Sequence, residues 1–203
     1  MQQLEFTTHG GRRRGAGRPT TGRVSHAMRP RFARPTPAHV TLRVGEDVWN
    51  LRRKSVLREI RACFAAALGR FGLRLIEFSI LGNHLHLIVE ADDTAALSRG
   101  MQGLTIRIAK ALNRLMSRRG TLFADHYHAR LLTTPAELVN AIAYVLENAA
   151  RRYGASGPDA FSSAAPNARL ALAVPVSWLL TVGWRRAKRI PDWMLQRQRT
   201  AAT

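Results

Sequence analysis

The chain has 203 residues and a formal net charge of +19, with 32 lysine and arginine side chains against 13 acidic ones. This length suffices for one domain with a hydrophobic core and additional segments, and the charge favours polyanionic partners. A single cysteine, Cys63, excludes a disulfide framework and a thiolate metal site.

The chain shows no sign of export or membrane insertion. Its N-terminus lacks the apolar region of a signal peptide. The longest apolar stretch, residues 170–183, contains Pro175 and is too short to span a bilayer. We expect this stretch to form a helix that packs on the domain. The sequence therefore predicts a cytoplasmic, nucleoid-associated protein without a membrane partner.

Residues 1–38 are predicted to form a disordered basic arm. They hold eight arginines and one glutamate, a net charge of +7, with almost no apolar periodicity. Arg18 lies in a Gly-Arg-Pro segment that resembles half of a minor-groove hook, although Ala16 stands where a second arginine is expected. A non-specific electrostatic arm is the favoured interpretation.

Apolar periodicity predicts seven elements after the arm. They are strands at 40–44, 73–80, 85–89 and 122–132, and helices at 55–68, 94–117 and 135–152. Asp93 and Thr134 are expected to cap the second and third helices, with Glu137 completing a capping box. The order β-α-β-β-α-β followed by a helix predicts an α+β, ferredoxin-like antiparallel sheet, with the last helix against its open face. This domain spans 39–152, and 153–203 form a basic, Trp-containing C-terminal extension.

The third predicted strand carries His84 and His86. Residues two apart on a strand share a face, so both imidazoles project together while Leu85 and Leu87 enter a core. Two adjacent imidazoles are half of a metal site. The alternative is a pair of half-exposed histidines with no ligand.

The last helix supplies a second group of polar side chains. Tyr144 and Asn148 lie four residues apart and therefore share one helix face. A divalent ion held by His84, His86 and Asn148 would polarise a phosphodiester, and Tyr144 would attack its phosphorus.

These residues resemble a known family. His84-Leu85-His86 fits the His-hydrophobic-His motif of HUH nucleases, and 144–148 fit their single-tyrosine helix. Over residues 38–152 the chain resembles the REP-associated tyrosine transposases, which are relatives of insertion-sequence transposases. Asn148 is followed by Ala149 and Ala150, where many relatives have Pro or Trp directly after the amide.

The resemblance implies a reaction and its partners. Such proteins cut single-stranded DNA near a hairpin, form a 5′-phosphotyrosine, leave a 3′-OH and need Mg²⁺ or Mn²⁺. Imidazoles and an amide suit Mn²⁺ at least as well as Mg²⁺. Both monomers and homodimers are consistent with the resemblance.

Several residues compete for these roles. His126 and His128 form a second His-x-His motif on the predicted fourth strand. Tyr127 and Tyr153 are rival nucleophiles, the first expected in the core and the second at the surface.

Basic side chains are the candidates for DNA binding. On the second helix and in the extension they are Arg114, Arg118, Arg119, Arg185, Arg186, Lys188 and Arg189. Trp184 and Trp193 lie among the cations of the extension and suit base stacking, whereas Trp178 is expected to anchor it. Glu147 is expected to be a solvated residue on the helix flank.

Two other functions fit the same charge. A catalytically decayed transposase would bind DNA or RNA hairpins without cutting them. A ribosome-associated basic protein would prefer RNA.

Overall fold

The computed structural model describes residues 31–154, 157–165, 168 and 172–199. Four strands and three long helices are followed by short helices in the C-terminal extension. The elements are β1 Thr36–Arg43, α1 Lys54–Ala65, β2 Leu73–Ile80, β3 His84–Ala91, α2 Thr94–Leu115, β4 His128–Leu131, α3 Pro135–Tyr153, α4 Trp178–Thr181, a 3-10 helix Gly183–Arg186 and α5 Asp192–Arg199.

The strands form one antiparallel sheet of order β2-β3-β1-β4. This is the order of a ferredoxin-like β-α-β-β-α-β unit, so the predicted fold and the central position of β3 are confirmed. Side chains alternate between the two faces of a strand, and both faces of this sheet are buried. Leu85 and Leu87 pack with α1 and α2, while Ile88 packs with α3 on the other side.

Local sequence fixes where α3 begins. Thr134 Oγ1 accepts a hydrogen bond from the Glu137 backbone N–H at 3.2 Å, and Glu137 accepts one from the Thr134 N–H at 3.2 Å. Pro135 supplies the first turn, and Gly154 ends the helix in the left-handed region at φ 63°. The predicted capping box is therefore confirmed, and it sets the register of every side chain on α3.

Three element boundaries differ from the sequence predictions. β1 begins at Thr36 and so includes residues assigned to the basic arm, because Thr36 pairs with Ala91 of β3. Helix α1 ends at Ala65, before a loop in which Gly69, Phe71 and Gly72 have positive φ. β4 covers only His128–Leu131, and Phe123 forms an isolated bridge to Val44. Residues 1–30, with Arg18, lie outside the described residues.

The C-terminal extension folds back onto the sheet. Ser162 bridges to Ser79 of β2, and the Ile80 N–H donates to the Phe161 carbonyl at 2.9 Å. The buried Glu90 carboxylate accepts from the backbone N–H groups of Val176 and Ser177, at 2.9 and 2.7 Å. These bonds hold the extension over the end of β3.

Two predictions for the extension are wrong. Within the described residues 172–182 of the stretch predicted as one helix, only Trp178–Thr181 are helical, because Pro175 and the bonds to Glu90 keep the preceding backbone from forming a helix. The anchoring tryptophan is Trp184, which is 2% exposed, whereas Trp178 is 51% exposed. No helix among the described residues is long and apolar enough to cross a membrane.

Candidate active site

The two histidines of β3 lie side by side on the sheet face that α3 covers. The ring centroids of His84 and His86 are 4.8 Å apart, and the rings are nearly perpendicular at 87°. His86 is buried and His84 is partly buried. The strand geometry predicted from the sequence therefore brings the pair together.

Each of these imidazoles has one ring nitrogen engaged. His84 Nδ1 lies 2.7 Å from Asn83 Oδ1, an acceptor, so Nδ1 carries the hydrogen and Nε2 keeps its lone pair. His86 Nδ1 lies 3.1 Å from His39 Nε2 and 3.2 Å from Thr41 Oγ1. His86 Nε2 is buried and has no partner within the described structure. An imidazole fixed through Nδ1 with Nε2 available is the usual arrangement of a metal-binding histidine.

The environment keeps these histidines neutral. Burial lowers the pKa of His86 to about 3, with smaller effects from His39 and His84. Burial, followed by the charges of His128 and Arg130, lowers the pKa of His39 to about 4. The pKa of His84 is lowered by burial first and then by Arg152 and Arg43. All three imidazoles are thus unprotonated at neutral pH, the state that binds a cation.

Tyr144 is the tyrosine that contacts the histidines. Its ring meets the His86 ring edge to face, with centroids 5.2 Å apart at 83°, and it is 46% exposed. Tyr127 is buried in the core, as expected. Tyr153 is half-exposed, and its hydroxyl accepts a hydrogen bond from the Gly82 N–H at 3.0 Å. Tyr144 therefore combines proximity to the histidines with access from solvent.

Asn148 lies on the part of α3 that crosses the histidine strand. Tyr144 contacts His86, and two turns later the charge of Arg152 acts on His84. Asn148 is midway between them on the same helix face and is partly buried.

His84 and His86 supply only two ligands, so a divalent cation at this site also needs a ligand that is not an acidic residue, a cysteine or a histidine. The described residues contain no group of three His, Cys, Asp or Glu side chains arranged to hold a metal ion. Two imidazoles and the Asn148 amide oxygen are a nitrogen and oxygen set that suits Mn²⁺ or Mg²⁺.

Sequence reasoning missed three residues beside this site. His39 contacts both His86 and Tyr144, with a centroid distance of 5.8 Å to the tyrosine. Arg43 is exposed and pairs with His84 across the strands. Arg152 is exposed on α3. The alternation of β1 could have placed His39, Thr41 and Arg43 on one face, but not beside the histidines of β3.

The basic residues predicted to bind DNA differ in their exposure and in their partners. Arg118 is not available for phosphate, since it binds Asp47, Asn113 and the Thr121 carbonyl and is 15% exposed. Arg114, Arg119, Arg185, Arg186, Lys188 and Arg189 are exposed.

Three expectations about neighbouring side chains need correction. Trp184 is too buried to stack on a base. Glu147 is not simply solvated, because it pairs with Arg151 at 2.7 Å and accepts from Trp193 Nε1 at 2.9 Å. His126 lies before β4, so it does not share a strand with His128.

A ferredoxin-like sheet with a His-Leu-His strand beneath a tyrosine helix defines the class of single-tyrosine HUH proteins. The family model for IS200-like transposases matches residues 38–148, and the chain belongs to that family. No curated protein shows significant similarity to the chain.

Two solved structures are similar to parts of this chain. A REP-associated tyrosine transposase bound to a REP hairpin is 11% identical, with a TM-score of 0.56 over 76% of this chain and 94% of its own. A Deinococcus radiodurans protein assigned as a transposase is 13% identical, with a TM-score of 0.42 over 50% of this chain and 82% of its own.

Proposed function

We propose that the protein cleaves single-stranded DNA beside hairpin-containing, REP-like sequences and transfers the cut strand through a 5′-phosphotyrosine on Tyr144. The contact between the accessible Tyr144 ring and the buried His86 imidazole carries this proposal. The contact supports a role for Tyr144 as nucleophile, because it lies beside two adjacent histidines of one strand whose pKa values are both lowered, chiefly by burial.

The chemistry assigned to the chain is one exchange of bonds at phosphorus. The Tyr144 oxygen bonds to the phosphorus, the bond to the 3′ oxygen breaks, and the tyrosine proton ends on the released 3′-OH. A Mg²⁺ or Mn²⁺ ion held by His84 Nε2, His86 Nε2 and Asn148 would neutralise charge on the phosphodiester. Because the ester keeps the energy of the broken bond, a 3′-OH can reverse the step and join strands.

Charge and fold support DNA as the partner. The net charge of +19 favours a polyanion, and the REP-associated transposase that shares the fold is bound to a REP hairpin. Tyr144, His84 and His86 lie in one chain, so a monomer already contains these groups and a homodimer is not required for the step. Association with the nucleoid follows from DNA binding.

A covalent-adduct assay tests the proposal. The full chain is mixed with single-stranded hairpin DNA from the flanks of its own gene, in Mn²⁺ or EDTA, and separated on a denaturing gel. We expect an adduct with the wild type in Mn²⁺ and none with Tyr144→Phe. The matched control is Tyr153→Phe, which removes a hydroxyl from the same helix and should still give adduct. An adduct that persists in Tyr144→Phe would contradict the assignment.

The histidines are tested by separating cleavage from binding. His84→Ala and His86→Ala should abolish cleavage and leave most hairpin binding intact, since neither substitution removes an arginine or a lysine. Equal loss of both would show that the pair is structural. Tight hairpin binding by the wild type with no adduct in either metal would instead favour a decayed transposase that only binds.

A further inference from the structure

The C-terminal extension exposes an indole ring at the edge of a positively charged groove. Trp178 is 51% exposed and lines a groove of about 660 Å³ together with Arg31, Arg34 and Thr133. Both arginines are exposed. The groove therefore presents an accessible aromatic surface next to two cations.

The ring is held in place by its neighbours. A Cβ added at Gly183 would lie 2.5 to 2.8 Å from three successive carbons of the six-membered ring, so the indole packs flat on this glycine. The Arg186 guanidinium lies 5.2 Å from the Trp178 ring centroid. The backbone before Trp178 is fixed, since the Ser177 N–H bonds to buried Glu90. The exposed ring is therefore preorganised rather than a loose side chain.

The groove lies on the same sheet face as Tyr144. Pro37 lines the groove, and His39, two residues further along β1 on the same face, contacts Tyr144. Two residues of strand span about 7 Å. One continuous nucleic-acid strand can therefore lie against Tyr144 and in the groove at once.

The charge around the groove identifies its occupant. Arg31 and Arg34 line the groove with Trp178, and the Arg186 guanidinium lies near the Trp178 ring. Glu137, which bonds to Thr133 at the groove, is already paired with Arg130. An aromatic face bordered by cations suits an unpaired base with its phosphates, whereas an apolar peptide brings no negative charge to these arginines.

From these contacts we infer that the Trp178 groove binds an unpaired nucleotide of the DNA substrate by stacking its base on the indole. This inference rests on the proposed DNA-cleaving function and adds a binding subsite to it. It also reverses the roles expected of the tryptophans, since Trp184 anchors the extension and Trp178 meets the ligand.

The test measures DNA binding without cleavage. The full chain is titrated in EDTA against a fluorescein-labelled hairpin with a single-stranded flank, and anisotropy is recorded at several salt concentrations. Trp178→Ala should bind roughly 5- to 150-fold more weakly, the usual effect of losing one stacked base. Trp178→Phe should retain most of the affinity because it keeps an aromatic face. Phe71→Ala removes an equally exposed ring, at 53%, from the loop after α1 and should bind as the wild type does.

The salt dependence separates stacking from charge and from misfolding. Trp178→Ala should keep the wild-type slope of log K against log salt, whereas Arg34→Gln should reduce it by about one. Unchanged affinity of Trp178→Ala would overturn the inference. Tighter binding would overturn it too and would indicate that a segment of the chain itself fills the groove. Equal weakening on a blunt duplex without unpaired bases, or no rescue by Phe, would show a structural role.

The two proposals fail in distinguishable ways. If the wild type forms no adduct but binds the flank through Trp178, the cleavage function fails and the inference stands. If it forms the Tyr144 adduct and Trp178→Ala binds normally, the inference fails and the function stands.

Discussion

His39 Nε2 lies 3.1 Å from His86 Nδ1, and this contact links β1 to the most buried imidazole of the candidate site. Thr41 Oγ1 approaches the same nitrogen at 3.2 Å. For the buried Nε2 of His86 to bind a cation, Nδ1 must carry the hydrogen and donate it, and His39 Nε2 and Thr41 Oγ1 are the two acceptors within reach. We therefore expect His39 to be a positioning residue that helps to fix the tautomer and orientation of His86.

Replacing His39 should lower the affinity for the metal ion more than the affinity for DNA. We expect His39→Ala to lower Mn²⁺ affinity roughly 10- to 100-fold, as loss of a partner of a ligand does. Electron paramagnetic resonance of free Mn²⁺ measures this directly, without cleavage. His128→Ala, which removes an exposed imidazole opposite Thr41, is the control and should bind Mn²⁺ normally. Equal affinities for His39→Ala and the wild type would refute the role of His39.

Arg151 and Arg152 are adjacent on α3 but have different partners. Arg151 pairs with Glu147 at 2.7 Å, whereas the charge of Arg152 acts on His84. We expect Arg152→Gln to weaken hairpin binding several-fold and to reduce the salt slope by about one, as loss of a phosphate contact does. Arg151→Gln should have a smaller effect in the same anisotropy titration. Identical losses in both variants would argue for a diffuse charge effect.

Arg118 and Arg119 provide a second adjacent pair. Arg118 binds Asp47 and Asn113 and ties the loop before β4 to α2, while Arg119 is exposed. We therefore expect Arg118→Ala to lower the free energy of unfolding by about 1 to 3 kcal/mol, measured in urea, with little change in the salt slope of DNA binding. Arg119→Ala should leave stability within about 0.5 kcal/mol. An Arg118→Ala variant with unchanged stability and a reduced salt slope would instead support Arg118 as a DNA contact.

Glu137 in the cap of α3 makes the free energy of unfolding depend on pH. Hydrogen bonds from the Thr133 backbone, then from Arg130 and the Thr133 hydroxyl, lower the pKa of Glu137 to about 2. Between pH 4.5 and 2 the unfolded chain therefore binds more protons than the folded one at this position, and the contribution of Glu137 is lost as pH falls.

Glu137→Gln tests this contribution. At pH 7 the variant should be less stable by about 0.3 to 1 kcal/mol, because Gln can still bond to the Thr134 backbone but loses the negative charge at the helix N-terminus and the ion pair with Arg130. The difference from the wild type should shrink as urea unfolding is repeated towards pH 2. Glu46→Gln, at an exposed loop position, is the control. A difference that stays constant from pH 7 to the lowest pH would contradict the assignment of the cap.

Local patterns sufficed for most of the fold. The alternation in 73–80 and the capping residues Asp93 and Thr134 describe short stretches of chain, and the structure places β2 and the starts of α2 and α3 as predicted. The fourth strand was predicted too long because its length depends on pairing with β1. Only His128–Leu131 find partners there.

The residues of the candidate site also differ in whether local sequence predicts their position. The spacing of His84 and His86, and of Tyr144 and Asn148, is local, and those residues lie where expected. His39, Arg43 and Arg152 required the register between β1 and β3 and the path of α3. The exchange of Trp178 and Trp184 could not be predicted, because both lie in one aromatic and basic segment. The contacts of Trp178 with Gly183 and of Ser177 with Glu90 appear only in the folded chain.

Peptide mapping of the covalent adduct shows which tyrosine becomes linked to DNA. Trypsin places Tyr127, Tyr144 and Tyr153 in separate peptides, 120–130, 131–151 and 153–169. After nuclease trimming of an adduct made in Mn²⁺, mass spectrometry should find a nucleotide phosphate on peptide 131–151 alone, with fragments that assign it to Tyr144. A nucleotide on peptide 120–130 or 153–169, or an unmodified 131–151 peptide in a purified adduct, would contradict this account.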